Sequence, residues 1–525
     1  MNRTGRPWVV VAAALVGGAA TSLAFAPAVL GVFAVAGPAI GLWAFVHARG
    51  VRAAAMAGLL HGLAFTFLTF HWMYELDVIA YVVLCLLQAL FWVLVAALAR
   101  ALPQSASGSW VVGVAAAWTL VEFARARFPV SGFEWGQLGL TAAGTTLRRA
   151  AAIVGGVGLP GLIVAVAAAV PVVVVHRTVR SALPLGLAVL ALATATALGT
   201  VSWTAPVAGM QVALVQADPP CPGEFAEDCP GFRDVLLDSY LARTGALSST
   251  PDLVVWGEDA LPGGADLDAV GEQFAARAGT PPAPLLAGTG TPAAPGRFLR
   301  WAALFDTDGT ALGGYAKRRP VPFGEYVPLR SLLGGISDVG RLVPTDMMPG
   351  EDTSPVMVPV GGRVVPLGTV VSWEVSFSRL VRDVAHEAQG LVTLTTVSSY
   401  GTTAASDQLL ATAQLRAAEH QKAMAVAATT GRSAMIEPDG RIAASTALLR
   451  ADDTTAAMPL RSGMTPFARA GELPVAAVAA LALVAAVAWA RRRAAAESSE
   501  EGAGSAAPVE AAAARDPEVD TPSTR

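Results

Sequence analysis

The chain has 525 residues, 54% of them hydrophobic and 14% charged, with a mean hydropathy of +0.53. Soluble domains carry about 25% charged residues, so a wholly soluble protein is excluded, and a net charge of −4 gives no basis for a nucleic-acid partner. Three cysteines exclude a disulfide-stapled scaffold: Cys85 lies in an apolar run, while Cys221 and Cys229 flank a loop where one bridge could form in an oxidising compartment, although spacing alone fixes no pairing.

Spanning a bilayer core takes about 20 mostly apolar residues in a helix. Runs of this kind are predicted at 8–25, 28–46, 53–70, 78–98, 110–121, 154–175 and 183–201, with an eighth at 474–490. The fifth is the shortest and is followed at once by Glu122 and Arg125. The first is read as a span, because more spans follow and no small-x-small cleavage site stands out. His71 and Trp72, at the end of the third, are read as anchors at the membrane interface.

Arginine placement predicts orientation. Arg3, Arg6, Arg49, Arg52, Arg100, Arg177, Arg180 and the triplet Arg491, Arg492, Arg493 all fall on one side if the eight spans are real. Arg125, Arg127, Arg148 and Arg149 oppose them. Both termini are therefore expected in the cytoplasm and the long segment between the seventh and eighth spans outside. The expected divisions are a seven-span bundle over 1–204, an outer domain over 205–470, a closing span over 471–493, and an unstructured cytoplasmic tail over 494–525 rich in Ala, Glu, Ser and Pro. Heavy use of Ala, Gly, Val, Arg and Pro suggests a GC-rich bacterial genome.

The outer segment changes character. Strand-like runs at 211–216, 252–256, 284–287, 364–371 and 391–397 alternate with helical stretches at 232–247 and 411–425, as in an α/β domain. Asp308-Gly309 and Asp439-Gly440 are predicted hairpin turns. Leu286-Ala287-Gly288-Thr289-Gly290 lacks the lysine and following helix of a phosphate loop and is read as a strand-end turn. Six scattered histidines give no ligand pairing, so no metal and no other cofactor is expected.

Three places can carry chemistry: Trp256-Gly257-Glu258-Asp259 at a strand end, Tyr315-Ala316-Lys317 with the following PVPFGEYVP, and Val371-Ser372-Trp373-Glu374 at another strand end. Carboxyl ends of strands are where α/β folds place their sites. A buried carboxylate can serve as base, a fixed ammonium can stabilise an oxyanion and a hydroxyl can attack. Ordinary strand-end charges forming a salt bridge would look the same at this level.

The series WGEDALP, YAKRRPVPFGEYVP and SWE, behind seven spans and before one, resembles the apolipoprotein N-acyltransferases, and Gly132-Phe133-Glu134-Trp135 resembles a loop of that family. The resemblance covers nearly the whole chain. It implies a polytopic helical membrane bundle of about eight spans with an extracytoplasmic nitrilase-like α-β-β-α sandwich, in a bacterial cell membrane. It also implies an acyl transfer from a phospholipid donor to the α-amine of a diacylglyceryl-cysteine lipoprotein. Glu258 maps as general base, Lys317 as the oxyanion-stabilising residue, Glu325 as a supporting glutamate and Glu374 as the acid two residues past the nucleophile. Trp373 and Tyr400 fall where the substrate would be held, and Arg416 and Glu419 are in keeping with the family.

The nucleophile departs from it, with Ser372 standing where the family has cysteine. So do Thr396-Val397-Ser398-Ser399-Tyr400-Gly401, in place of Asn-Asp-x-Trp-Phe-Gly, as well as Val426, Thr429 and Gly257. A thiol is partly ionised near neutral pH, whereas a serine hydroxyl needs a stronger base. A Ser–Lys pair would need Lys317 neutral, at odds with an ammonium role. Three readings follow: a membrane N-acyltransferase, a catalytically degenerate relative that binds lipid, lipoprotein or an active paralogue, and an amidase of small amides that leaves the bundle unexplained.

Overall fold

The computed structural model describes residues 6–103, 107–217, 231–278, 280–333, 343–397 and 400–504. Cys221, Cys229, Ser398 and Ser399 lie outside them. Every predicted apolar run forms a helix, as buried or lipid-facing apolar sequence must where backbone groups have no water to bond. These helices are α1 (Pro7–Ser22), α2 (Phe33–His47), α3 (Val51–Thr69), α4 (Val78–Ala101), α5 (Ser107–Arg125), α6 (Ala151–His176) and α7 (Val179–Leu198). The last apolar helix of the chain runs Glu472–Gly504. Six of the eight are long and apolar enough to cross a membrane, whereas α1 and α2 are shorter apolar helices. Of the tail expected to be unstructured over 494–525, residues 494–504 continue that last helix, as their Ala- and Glu-rich sequence favours, and 505–525 lie outside the described residues. Glycines let the bundle close: a Cβ on Gly18 would lie 2.1 Å from the His61 carbonyl oxygen, and one on Gly58 2.4 Å from that of Trp92.

The segment after α7 opens with β1 (Ala205–Pro206), which pairs antiparallel with β15 (Arg461–Ser462), and builds two larger sheets. One has strand order β14-β2-β3-β4-β5-β6 with β7 on β5, and the other β13-β12-β11-β10-β9-β8. The first comprises β2 (Met210–Gln216), β3 (Leu253–Trp256), β4 (Leu285–Ala294), β5 (Arg297–Phe305), β6 (Ala311–Ala316), β7 (Asp346–Met347) and β14 (Asp452–Met458). The second comprises β8 (Val356–Val360), β9 (Arg363–Val371), β10 (Gly390–Thr395), β11 (Met424–Ala428), β12 (Ala434–Ile436) and β13 (Ile442–Ser445). In each sheet three strands are parallel, β2-β3-β4 and β9-β10-β11, and the outer ones pair antiparallel apart from the two-residue β7, which pairs β5 in parallel.

Alternation along the strands sorts the two faces. Val212, Leu214 and Val255 point into the core shared with Leu367, Val370, Leu391 and Leu394 of the other sheet. Ala213, Val215 and Val254 pack under α8 (Phe232–Gly245) and α9 (Leu267–Ala278), with Tyr240 stacked on Trp256 at 4.7 Å. The second sheet is covered by α10 (Ser378–Ala385) and α11 (Ala405–His420), whose Leu380, Val381, Val384, Leu409 and Ala413 complete the core. The result is a nitrilase-like α-β-β-α sandwich joined to a helical bundle.

Asp308-Gly309 and Asp439-Gly440 do link antiparallel neighbours, β5 to β6 and β12 to β13. Two readings of the sequence are corrected. The helix expected at 411–425 is α11, ending at His420, and Met424–Ala428 is the strand β11. Both elements are Ala-rich and buried on all sides, so neither shows a period that separates helix from strand. Gly288-Thr289-Gly290 is the interior of β4, not a turn. A Cβ on Gly288 would lie 2.5 Å from the Asp259 nitrogen and 2.6 Å from Glu258 Cα, so β4 can approach the Glu258 turn only as glycine.

Candidate active site

Glu258 follows β3, Lys317 follows β6 and Ser372 follows β9, so all three sit at strand ends. The structure brings Glu258, Lys317 and Glu325 into direct contact. Lys317 is fully buried, its Nζ 3.0 Å from Glu258 Oε1 and 2.7 Å from Glu325 Oε1. Burial alone would push the Lys317 amine down, but the two carboxylates outweigh it and hold it above the usual lysine range as an ammonium. The remaining carboxylate oxygens are also engaged: Glu258 Oε2 accepts from the Thr396 amide at 3.1 Å, and Glu325 Oε2 from the Val321 amide at 2.7 Å.

Ser372 adopts a left-handed backbone, φ +59°, at the junction of β9 and a 3-10 turn (Ser372–Ser376). For a residue with a Cβ this costs roughly 1–3 kcal/mol and persists only where the surroundings enforce it. Glu374 is the enforcer. Its buried carboxylate accepts from the Val371 amide at 2.8 Å, the Arg318 amide at 2.7 Å, the Arg319 amide at 2.8 Å and the Tyr315 hydroxyl at 3.1 Å. Trp373 adds to this knot, its indole N–H donating to the Arg319 carbonyl at 2.5 Å. The strap after Lys317 is thus tied to the strand end that carries Ser372. Val371 pairs with Leu394 of β10, and Glu258 Oε2 accepts from the Thr396 amide just past β10, so the strand end that carries Ser372 neighbours the one that holds Glu258. No hydrogen bond joins Ser372 to Glu258 or Lys317 among the described residues. Burial pushes the Glu374 carboxyl up to about 7, against the pull of Lys317 and the three amides. Its contacts make it a backbone organiser.

One charged neighbour, Arg300, escaped the sequence reading. Arg300, on β5, pairs with Asp259 and lies 3.7 Å from Glu258 Oε1 and 3.3 Å from Glu325 Oε1. Asp259 itself is left-handed, φ +60°. The run carrying Arg300 has too mixed a pattern to stand out as a strand, and only strand pairing brings residue 300 beside residue 317.

The bundle supports the site from behind. Trp72, expected as an interface anchor, is instead buried, because its indole N–H donates to Gln408 Oε1 of α11 at 3.0 Å. The Trp135 indole donates to the same oxygen at 2.9 Å, and Gln408 Nε2 donates to the Ala26 and Thr69 carbonyls at 3.1 and 3.0 Å. Tyr400 rests edge-on against Trp72. Glu122 and Arg125, which made the fifth span look doubtful, form a buried ion pair at 2.9 Å. Arg125 also donates to the Phe133 and Trp135 carbonyls at 3.1 and 2.9 Å, fixing the loop that carries Glu134. Glu134 in turn accepts from the Ser378 amide at 3.0 Å, and burial, reinforced by Glu472, pushes its carboxyl up to about 8. Arg416 pairs with Glu419, which accepts from the Gly156 amide at the break in α6 (Gly155, φ +67°). Among the described residues no group of acidic, histidine or cysteine side chains could hold a metal ion.

Comparison with known proteins agrees along the chain. Residues 17–170 match the family model described as apolipoprotein N-acyltransferase N-terminal domain, and residues 211–460 match that of carbon-nitrogen hydrolase. An apolipoprotein N-acyltransferase of Caulobacter vibrioides is 30% identical over 93% of this chain and 95% of its own length. The chain belongs to the apolipoprotein N-acyltransferase family. Relatives of that name in Methylococcus capsulatus and Chromobacterium violaceum are 28% and 29% identical, the first over 91% of this chain and 95% of its own length, the second over 73% of each. Among solved structures, an amidase from Nesterenkonia sp. is 20% identical, covering 51% of this chain and 97% of its own, with a TM-score of 0.35. As in its N-acyltransferase relatives, the chain is that of a bacterial membrane protein.

Proposed function

We propose that this protein transfers an acyl chain from a phospholipid to the N-terminal amine of a diacylated lipoprotein, with Ser372 as the acyl carrier. The observation that carries the reading is the buried Lys317 ammonium held by Glu258 and Glu325, on a strap that Glu374 ties to the strained strand end carrying Ser372. Glu258 removes the Ser372 proton as Oγ attacks the phospholipid ester carbonyl, and Lys317 stabilises the oxyanion. Collapse breaks the ester bond, and Glu258 returns the proton to the departing lysophospholipid alkoxide. The lipoprotein amine then attacks the acyl-serine ester, loses a proton to Glu258, and leaves as the amide while Ser372 regains its proton. Lys317 cannot be the base, because two carboxylates keep it charged. The exposed Phe323 and Leu329 of the strap offer an apolar rim for lipid entry.

In this reading the sandwich lies outside a bacterial cell membrane, and the arginines at the ends of α2, α4, α6 and the last helix face the cytoplasm with both termini. A second reading, a non-catalytic relative that binds lipid or lipoprotein, is favoured by one feature. Both oxygens of Glu258 are already engaged, and Ser372 is not hydrogen-bonded to it. The test supplies purified protein in detergent with phospholipid and a synthetic diacylated lipopeptide, and reads N-acylation by mass spectrometry. Acylation by the native chain but not by Ser372→Ala supports the serine enzyme. A silent native chain with an active Ser372→Cys supports the binding relative.

A further inference from the structure

We propose that Arg300 is a positioning residue for the site, supplying the second positive charge that balances the paired carboxylates and fixes the Glu258–Asp259 turn. Lys317 alone faces two glutamates, and a third acid, Asp259, follows directly. Arg300 approaches all three: it pairs with Asp259, reaches Glu325 Oε1 at 3.3 Å through Nε and Glu258 Oε1 at 3.7 Å through a terminal nitrogen. Its only side-chain hydrogen bond among these is to Asp259, so on the two glutamates it acts through its field. The Arg300 carbonyl also accepts from the Lys317 amide at 2.8 Å, so the two cations are set by one strand pairing.

The charges facing this guanidinium are therefore Glu258 and Asp259 past β3, Lys317 past β6 and Glu325 in the strap, with Arg233 of α8 also acting on Asp259. Loss of Arg300 makes this cluster more negative by one charge, and loss of the Asp259 charge makes it less negative by one. Any anion formed at position 372 feels the change. Arg300 thus sets the pH at which the site can hold a nucleophile in its ionised form.

This inference rests on the assignment of Ser372 to the nucleophile position, and its test needs no turnover. In Ser372→Cys protein, iodoacetamide labelling is followed against pH by peptide mass spectrometry at position 372, because Cys85, Cys221 and Cys229 are also present. Adding Arg300→Met is expected to slow labelling at pH 7 about tenfold and move the profile to higher pH, since a nearby opposite charge shifts a titration by about a unit or more. Arg300→Lys restores most of the rate, and Asp259→Asn moves the profile the other way. Opposite shifts from the two neutralising variants are a signature that damage to the fold cannot mimic. Unchanged profiles, shifts of the same sign, or failure of Arg300→Lys to restore the rate would overturn the proposal. If Arg300→Met does not fold, Arg300→Lys and Asp259→Asn still decide it. Loss of acyl transfer with these shifts intact would sink the serine-enzyme reading and leave this one standing.

Discussion

Replacing Lys317 with methionine keeps the shape of the side chain and removes its charge. The ammonium is fully buried and lies 2.7 and 3.0 Å from two carboxylate oxygens. Removing one partner of a buried charge pair costs about 3–5 kcal/mol, mostly because the other is left without compensation. Here Arg300 remains at 3.3 Å from Glu325 and 3.7 Å from Glu258, which places the expected loss near the low end, about 3 kcal/mol. At roughly 2–4 °C per kcal/mol for a domain of this size, the melting temperature in detergent should fall by about 10 °C. Adding Glu325→Gln to Lys317→Met removes one orphaned carboxylate and should recover a third to a half of that loss. Tryptophan fluorescence during thermal unfolding reads both. A fall of less than about 2 °C in the single variant, or a double variant as unstable as the sum of the two singles, would refute the reasoning that the lysine is held by both glutamates.

Glu374 gives a pH prediction. Its folded pKa, about 7, lies above the unfolded value near 4.5, so the folded state holds the proton more tightly, and stability is lost as pH rises through that window. The slope reaches about 1.4 kcal/mol per pH unit, and Glu374→Gln, always neutral, should flatten it in melting curves between pH 4.5 and 7. Gly288→Ala would set a Cβ 2.5 Å from backbone at Asp259; it should destabilise by about 1–3 kcal/mol and displace Glu258, and wild-type melting and labelling would contradict the contact. Gln408→Leu leaves two indole N–H groups and two carbonyls without partners. At about 1–3 kcal/mol per unsatisfied group, a melting temperature within a few degrees of wild type would show that the sandwich does not depend on this link to the bundle.

Much of this was legible in the sequence because it depends on runs and local chemistry. A lipid-facing helix must be apolar throughout, so all eight apolar runs found their helices. Strands β2, β3 and β10 and the second half of β9 are almost wholly buried and read as near-continuous apolar runs, so they stood out. What stayed hidden depends on pairing. Arg300 meets Glu258 only because β5 pairs with both β4 and β6. Trp72 looked like an interface anchor because nothing local announces Gln408, 336 residues away. Glu122 and Arg125 argued against a span when read alone, yet together they neutralise one another and hold a loop. The Ser372 substitution was visible at once. The backbone strain at that position, which the scaffold maintains through Glu374, was not.

The most direct test of the central claim is to look for the acyl-enzyme itself. Purified protein would be incubated with phospholipid alone, without acceptor, then digested and mapped by mass spectrometry. A serine acyl carrier predicts an acyl mass increment on the peptide containing Ser372, lost in Glu258→Gln and discharged by added diacylated lipopeptide. An unmodified Ser372 peptide, under conditions where Ser372→Cys becomes acylated, would contradict it and leave a lipid- or lipoprotein-binding scaffold in its place.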